Sequence, residues 1–125
     1  MKNRILLLAA SLSLLATGAM AQADRNLPRQ EGGEAVYKGI CQDCHMPDGH
    51  GGAGAGHYPA LAKNPKLAEP SYPISVVTHG LKSMPAFGNA LSDQEIADVV
   101  NYIRKDLFGN NFSGKVKPED VKNAR

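Results

Sequence analysis

The pentapeptide Cys41-Gln42-Asp43-Cys44-His45 constrains this chain more than any other stretch. C-x-x-C-H is the attachment signature of a c-type haem: two thiols add across the vinyl groups as thioethers, and the adjoining histidine ligates the iron. One helical turn brings both sulfurs to one side of the backbone, and the next residue projects its imidazole over the porphyrin centre. Cys41 and Cys44 are the only two cysteines, so no disulfide framework competes for them. Other uses of the motif find less support. A closed zinc site wants four Cys or His ligands, and His50, His57 and His79 show no paired spacing. A thioredoxin-type dithiol wants a βαβ context, which this chain lacks.

Residues 1–21 read as a secretory signal. Lys2 and Arg4 charge its start, Ile5 to Ala16 is apolar, and Ala19-Met20-Ala21 offers a small-x-small cleavage site. The apolar run is shorter than the about 20 residues of a membrane span, and no cysteine stands at the cleavage point to take a lipid. An uncleaved anchor is the alternative. Export to the periplasm suits thioether formation, which needs thiols presented to haem outside the cytosol. Removing 21 of 125 residues leaves 104, residues 22–125, enough for one small domain. Such a chain buries limited apolar surface alone, so a covalent haem becomes part of the core. Of 14 basic residues, Lys2 and Arg4 leave with the signal, and 12 then balance 12 acidic ones. The basic footprint of a nucleic-acid binder is absent.

Apolar periodicity places the helices. Val36, Tyr37, Ile40 and Cys44 recur on one face, giving a first helix over Glu31 to Cys41 that runs into the motif. Gly33 or Gly39 within it permits a close helix crossing or haem approach. Pro47 to Tyr58 is glycine-rich, read as a surface loop or as a wrap around the proximal haem edge. A turn follows at Asn64-Pro65. Ser71 to His79 reads as a short helix with Pro73 in its first turn and Gly80 as its stop. Ser92-Asp93-Gln94-Glu95 is a capping box for the clearest helix, whose stripe is Ile96, Val99, Val100, Ile103 and Leu107. Arg104 and Lys105 lie near the negative end of its dipole. No strand is legible. Residues 110–125 form a polar extension, with a final helical turn starting at Pro118.

The ligand opposite His45 decides the chemistry. Of four methionines, Met1 and Met20 leave with the signal, and Met46 adjoins the proximal histidine too closely to cross over. Met84 remains. Pro85 pushes it towards an extended conformation, from which a thioether can enter a haem pocket; ordinary apolar filling is the alternative. His79 is the rival ligand, as bis-histidine haems exist, and its other reading is a solvated helix end.

The pattern resembles the single-haem class I c-type cytochromes over most of the mature chain. Cys41-x-x-Cys44-His45, the Gly-rich stretch, Pro59-x-Leu61, Gly80, Met84-Pro85-x-Phe87 and Leu91-Ser92-Asp93-x-Glu95-Ile96 follow that family's order. The resemblance implies an all-α fold of three or four helices around one covalent haem c, with His45 and Met84 on the iron. It implies that the Pro59 carbonyl accepts from the His45 Nδ1–H and that Leu61 packs on the haem. It also implies that the first and last helices cross through a glycine, Gly33 or another of the first helix, with Tyr37 and Tyr102. A narrower likeness is to the cytochrome subunits of periplasmic dehydrogenases, carried by Leu61-Ala62-x-Asn64-Pro65, Met84-Pro85-Ala86-Phe87, Phe108-Gly109-Asn110 and Val116 to Arg125. The implied function is non-enzymatic: one-electron transfer in the periplasm, from a dehydrogenase donor to an oxidase or another cytochrome. Lys63, Lys66 and Lys82 are candidates to fringe the docking edge, or ordinary solvated lysines. A fixed haem subunit of a dehydrogenase complex and a gas-binding or enzymatic haem with a labile distal site are the other readings.

Overall fold

A helix must satisfy its first N–H groups, and Ser92 and Glu95 do so reciprocally for α4 (Asp93–Lys105). The Ser92 hydroxyl accepts from the Glu95 N–H at 3.2 Å, and the Glu95 carboxylate accepts from the Ser92 N–H at 2.9 Å. The computed structural model describes residues 29–54, 56–105 and 107–125; the expected signal, residues 1–21, lies outside them. The other Glu95 carboxylate oxygen accepts from the Gln30 N–H at 2.9 Å, joining the lead-in segment to the same cap. Burial alone would push Glu95 up. The backbone N–H groups of Gln30 and Ser92 and the Ser92 hydroxyl outweigh it, and the carboxyl lies below its usual range.

The expected stripe of α4 is buried throughout, from Ile96 to Leu107. The helix buries more than a stripe because it is central: α1 (Gly33–Val36), α3 (Ser71–His79), α5 (Pro118–Asn123) and the 3-10 turn Pro65–Ala68 all pack on it. The first helix is continuous in three pieces, α1 (Gly33–Val36), a π-helical stretch Tyr37–Cys41 and α2 (Gln42–His45). It starts two residues later than the periodicity predicts and runs through the haem motif rather than into it. Gly33 makes the crossing with α4. A methyl there would stand 2.1 Å from the Asp98 carbonyl oxygen and 2.6 Å from the Tyr102 Cβ, whereas Gly39 faces the Gln30 side chain with room to spare. The Tyr37 and Tyr102 rings, 5.6 Å apart and tilted by 49°, close the crossing.

Asn64 caps the 3-10 turn Pro65–Ala68 by accepting from the Lys66 N–H at 3.0 Å. Helix α3 (Ser71–His79) follows, and Gly80 ends it at φ +76. The glycine-rich stretch contains a short antiparallel ladder, β1 (Gly52–Ala53) with β2 (His57–Tyr58), register Gly52↔Tyr58. This corrects the strand-free expectation; two residues per strand leave no readable alternation. Among the described residues the fold is otherwise helical, and no helix there is long and apolar enough to cross a membrane.

The C-terminal stretch is polar in composition but packed in fact. Val116 and Val121 are buried, and α5 (Pro118–Asn123) lies on α4. Arg104, read from sequence as a dipole charge, is the fastening. Its side chain is wholly buried and donates to the carbonyls of Leu67 at 2.8 Å, Ala68 at 3.0 Å, Ser113 at 2.6 Å and Gly114 at 2.5 Å. Burial pulls its pKa down, and Glu69 opposes that pull. Arg104→Met should lower stability by roughly 3–5 kcal/mol, since each buried acceptor left unsatisfied costs about 1–3 kcal/mol and some will turn to water. Urea unfolding of the haem-loaded protein checks this, with faster proteolysis at Lys115 and Lys117 as the local sign. An unmoved midpoint would mean that the tail contributes nothing to the core.

Candidate haem centre

Cys41 ends the π stretch, and Cys44 and His45 lie one turn further on in α2. A π turn holds one extra residue and so offsets the helical face after it from the face before it. Val36 and Tyr37 therefore serve the crossing while the next turn presents the two thiols. Both cysteines are half-buried and unbridged. Burial, reinforced by the charge of Cys44, pushes the Cys41 thiol up to about 12. Among the described residues no group of three or more His, Cys, Asp or Glu side chains is placed to hold a metal ion.

His45 is the only buried histidine among the described residues. Its Nδ1 lies 3.0 Å from the Pro59 carbonyl oxygen. A carbonyl only accepts, so Nδ1 carries the proton and the lone pair of Nε2 is free for a metal. The loop that brings Pro59 there is fastened at several points. Gly51 N–H donates to the His45 carbonyl at 3.0 Å, Leu61 and Ala62 N–H donate to the Gly49 carbonyl at 2.7 and 2.9 Å, and the Tyr37 hydroxyl donates to the Met46 carbonyl at 2.7 Å. Gly51 sits at φ +66 against the acceptor itself: a methyl there would lie 2.1 Å from the Tyr58 carbonyl oxygen and 2.9 Å from that of Pro59. Only glycine fits.

Gly51→Ala should therefore move the Pro59 carbonyl off the His45 imidazole with the histidine itself left in place. Losing that acceptor makes the imidazole less electron-donating. The expected result is a higher reduction potential, with a weaker and shifted His45 Nδ1–H signal in the NMR spectrum. An unchanged potential with that signal intact would show that the loop absorbs the methyl without moving Pro59.

Met84 is half-buried on an irregular loop between α3 and α4. A tight turn holds it: Leu81 and Met84 exchange N–H···O bonds of 3.1 and 3.0 Å around Lys82, whose φ is +55. Gly80 lets the returning strand pass, since a methyl there would lie 2.7 Å from the Met84 carbonyl oxygen. Phe87 and Gly88 N–H then donate to the Val77 and Thr78 carbonyls at the end of α3, at 2.9 and 3.1 Å. Ile40, Cys41, Leu61, Met84 and Phe87 each pack on the core yet stay only partly buried. An apolar set left half-covered, two unbridged thiols and a histidine with a free Nε2 fit a flat apolar group bonded through sulfur and nitrogen. Of the expected residues, His45 and Pro59 stand within hydrogen-bond distance, and Cys41, Leu61 and Met84 pack partly buried on the same core.

The rival histidines are placed otherwise. His79 is exposed, its Nδ1 3.2 Å from the Ser75 carbonyl of its own helix, and His50 is exposed beside Asp48. His57 is exposed on β2. Lys63, Lys66 and Lys82 are exposed, Lys82 in the turn next to Met84. Gly51 is not legible from sequence as the glycine the centre requires, because five glycines between residues 49 and 56 give no local means of choosing, whereas Gly80 is marked as the stop of the helix before Met84.

Residues 28–103 match the family described as cytochrome c oxidase, cbb3-type, subunit III. The cytochrome c subunit of the quinone-linked alcohol dehydrogenase of Gluconobacter oxydans (strain 621H) is 40% identical over 106 residues, covering 74% of this chain. The match spans 22% of that protein, about a fifth of its length. Cytochrome c6 of Bumilleriopsis filiformis is 33% identical over 84 residues, covering 58% of this chain and 86% of that one. Cytochrome c6C from Synechococcus sp. PCC 7002 superposes with a TM-score of 0.53 over 64% of this chain and 99% of that chain, at 23% identity, a likeness of fold.

Proposed function

The chain belongs to the c-type cytochromes, by its match to the cbb3-type subunit III domain, and from that premise we propose that it is a periplasmic one-electron carrier with His45 and Met84 as its axial ligands. It is an electron-transfer domain carrying one covalent haem c, similar to cytochrome c subunits of dehydrogenases rather than to catalytic enzymes. The observation that carries the reading is the buried His45 with its Nδ1 committed to Pro59 at 3.0 Å, directly after two unbridged cysteines.

The haem supplies one iron that alternates between the ferric and ferrous states. The chain does the rest. Cys41 and Cys44 fix the group covalently, Pro59 orients the His45 ring, and a thioether from Met84 favours the ferrous state and raises the potential. With His45 and Met84 both holding the iron, no substrate would have a place on it. Leu61, Ile40 and Phe87, partly buried on the core, would help to keep water from it. Reduction by a dehydrogenase and oxidation by an oxidase or another cytochrome complete the proposed route, with export directed by residues 1–21.

The likeness to a dehydrogenase subunit favours a second reading, a haem held permanently in such a complex. Periplasmic extraction at moderate salt separates the two, because docking of small redox proteins is weak and salt-sensitive. A free carrier elutes alone. Intact-mass analysis should give the chain from Gln22 plus one haem that survives acid–acetone. Loss of haem in that extraction would refute covalent attachment.

A further inference from the structure

The loop that carries Met84 is tied down twice. One tie runs to α3, through the Phe87 and Gly88 N–H groups. The other comes from the far end of the chain. The Arg125 guanidinium donates to the Gly88 carbonyl through one terminal nitrogen and to the Leu91 carbonyl at 3.0 Å through the other, while its Nε meets the Asp93 carboxylate at 2.5 Å. Its three acceptors are two carbonyls of the Met84 loop and a carboxylate in the first turn of α4. Gly88 is confined between the two ties: a methyl on it would meet the Thr78 carbonyl oxygen at 2.7 Å and the Arg125 guanidinium at 3.3 Å. Helix α5 delivers the arginine, and Val121, fully buried against the core, fixes that helix.

We propose that Arg125 is a positioning residue for Met84, strapping the ligand loop to the start of α4 and so setting how readily the methionine leaves the iron. This rests on the His/Met reading above. The physical case is one of shape more than charge. The Asp93 contact is about a third exposed on both sides, and such ion pairs contribute little. The planar fork, by contrast, reaches three acceptors on two elements at once, which an ammonium on a flexible stem cannot do. Without it, the carbonyls of Gly88 and Leu91 lose their charged donor; Leu91 stays anchored in the core, but between it and α3 the segment around Met84 is restrained by the two N–H bonds to α3, the turn at Phe87 and the Leu81–Met84 turn. Methionine release needs that loop to swing out, so a looser tether raises the population of the open form.

The test uses the haem-loaded protein and its Arg125→Ala and Arg125→Lys variants. The first readout is the association rate of carbon monoxide with the reduced protein, which follows the opening of the methionine. The second is urea titration of the oxidised protein, followed by the far-red sulfur-to-iron band and by helical circular dichroism. Arg125→Ala should bind carbon monoxide about tenfold faster, equivalent to about 1.4 kcal/mol of opening free energy, and should lose the far-red band at lower urea than its helical signal. Arg125→Lys should fall between, since it keeps the charge but not the fork. A merely structural role lowers both urea curves together and leaves the carbon monoxide rate unchanged; that result overturns the proposal. A wild-type protein with no far-red band and rapid carbon monoxide binding overturns the ligation reading itself, and the strap with it.

Discussion

Export of the Cys41→Ala, Cys44→Ala double variant is expected to yield little folded protein, and none that unfolds cooperatively. The reason lies in which parts of the chain have a core of their own. Val36, Tyr37, Ile96, Val100 and Val121 are at most 1% exposed without any help from a cofactor, so the α1–α4–α5 crossing carries its own apolar contacts. The loop from Met46 to Ala62 and the loop from Gly80 to Leu91 do so less well: Ala62 and Leu91 are buried at their ends, but Leu61, Met84 and Phe87 are left partly bare. Burying apolar surface returns about 25 cal/mol per Å², and a haem face is the surface available to those side chains. Ordering each of those loop residues costs about 1–2 kcal/mol of backbone entropy. Deprived of the haem, both loops should remain unfolded and be degraded, leaving at most a fluctuating helix pair. Each single cysteine variant keeps one thioether and should retain haem at reduced yield. Periplasmic yield, haem staining of denaturing gels and thermal circular dichroism measure these outcomes. A haem-free double variant with a sharp, native-like melting transition would show that the chain folds without its cofactor.

What the sequence disclosed follows from how local each interaction is. The cap of α4 and its buried stripe repeat at three- and four-residue intervals, and both stand where the pattern puts them. The haem motif is legible for the same reason, being complete within five residues. The Pro59 acceptor came only with the family likeness, since a backbone carbonyl has no signature; the structure places it 3.0 Å from His45 Nδ1. Arg104 and Arg125 were not legible. An arginine in a polar stretch reads as solvated charge, and these two bond to carbonyls 37, 36, 37 and 34 residues away. Nothing near them in the chain announces such partners. The polar tail shows the same limit: its helix begins at Pro118 as the sequence predicts, but Val116 and Val121 are isolated apolar residues in it, and only docking on α4 makes them core.

Met84→Ala is expected to change the chemistry of the iron far more than the stability of the fold. Met84 is only partly buried, and its loop is held mainly by backbone bonds that do not involve the side chain. Truncation should therefore cost less than the roughly 2–5 kcal/mol of a fully buried Met→Ala change. The far-red band of the oxidised protein should vanish, and the reduced protein should bind carbon monoxide tightly where the wild type at neutral pH binds it poorly. Met84→His should keep two protein ligands and low-spin iron but lower the reduction potential, because imidazole favours the ferric state relative to a thioether. Pro85→Ala should do less, since the exchange of bonds between Leu81 and Met84 and the two bonds to α3 remain. Under the proposed His45 and Met84 ligation both ligands would stay on the metal in both oxidation states, and little would have to move as the electron passes. A far-red band that survives Met84→Ala would remove the methionine from the iron. Low-potential bis-histidine spectra of the wild type would then turn attention to His79, which would have to leave the Ser75 carbonyl and its exposed place on α3 to serve.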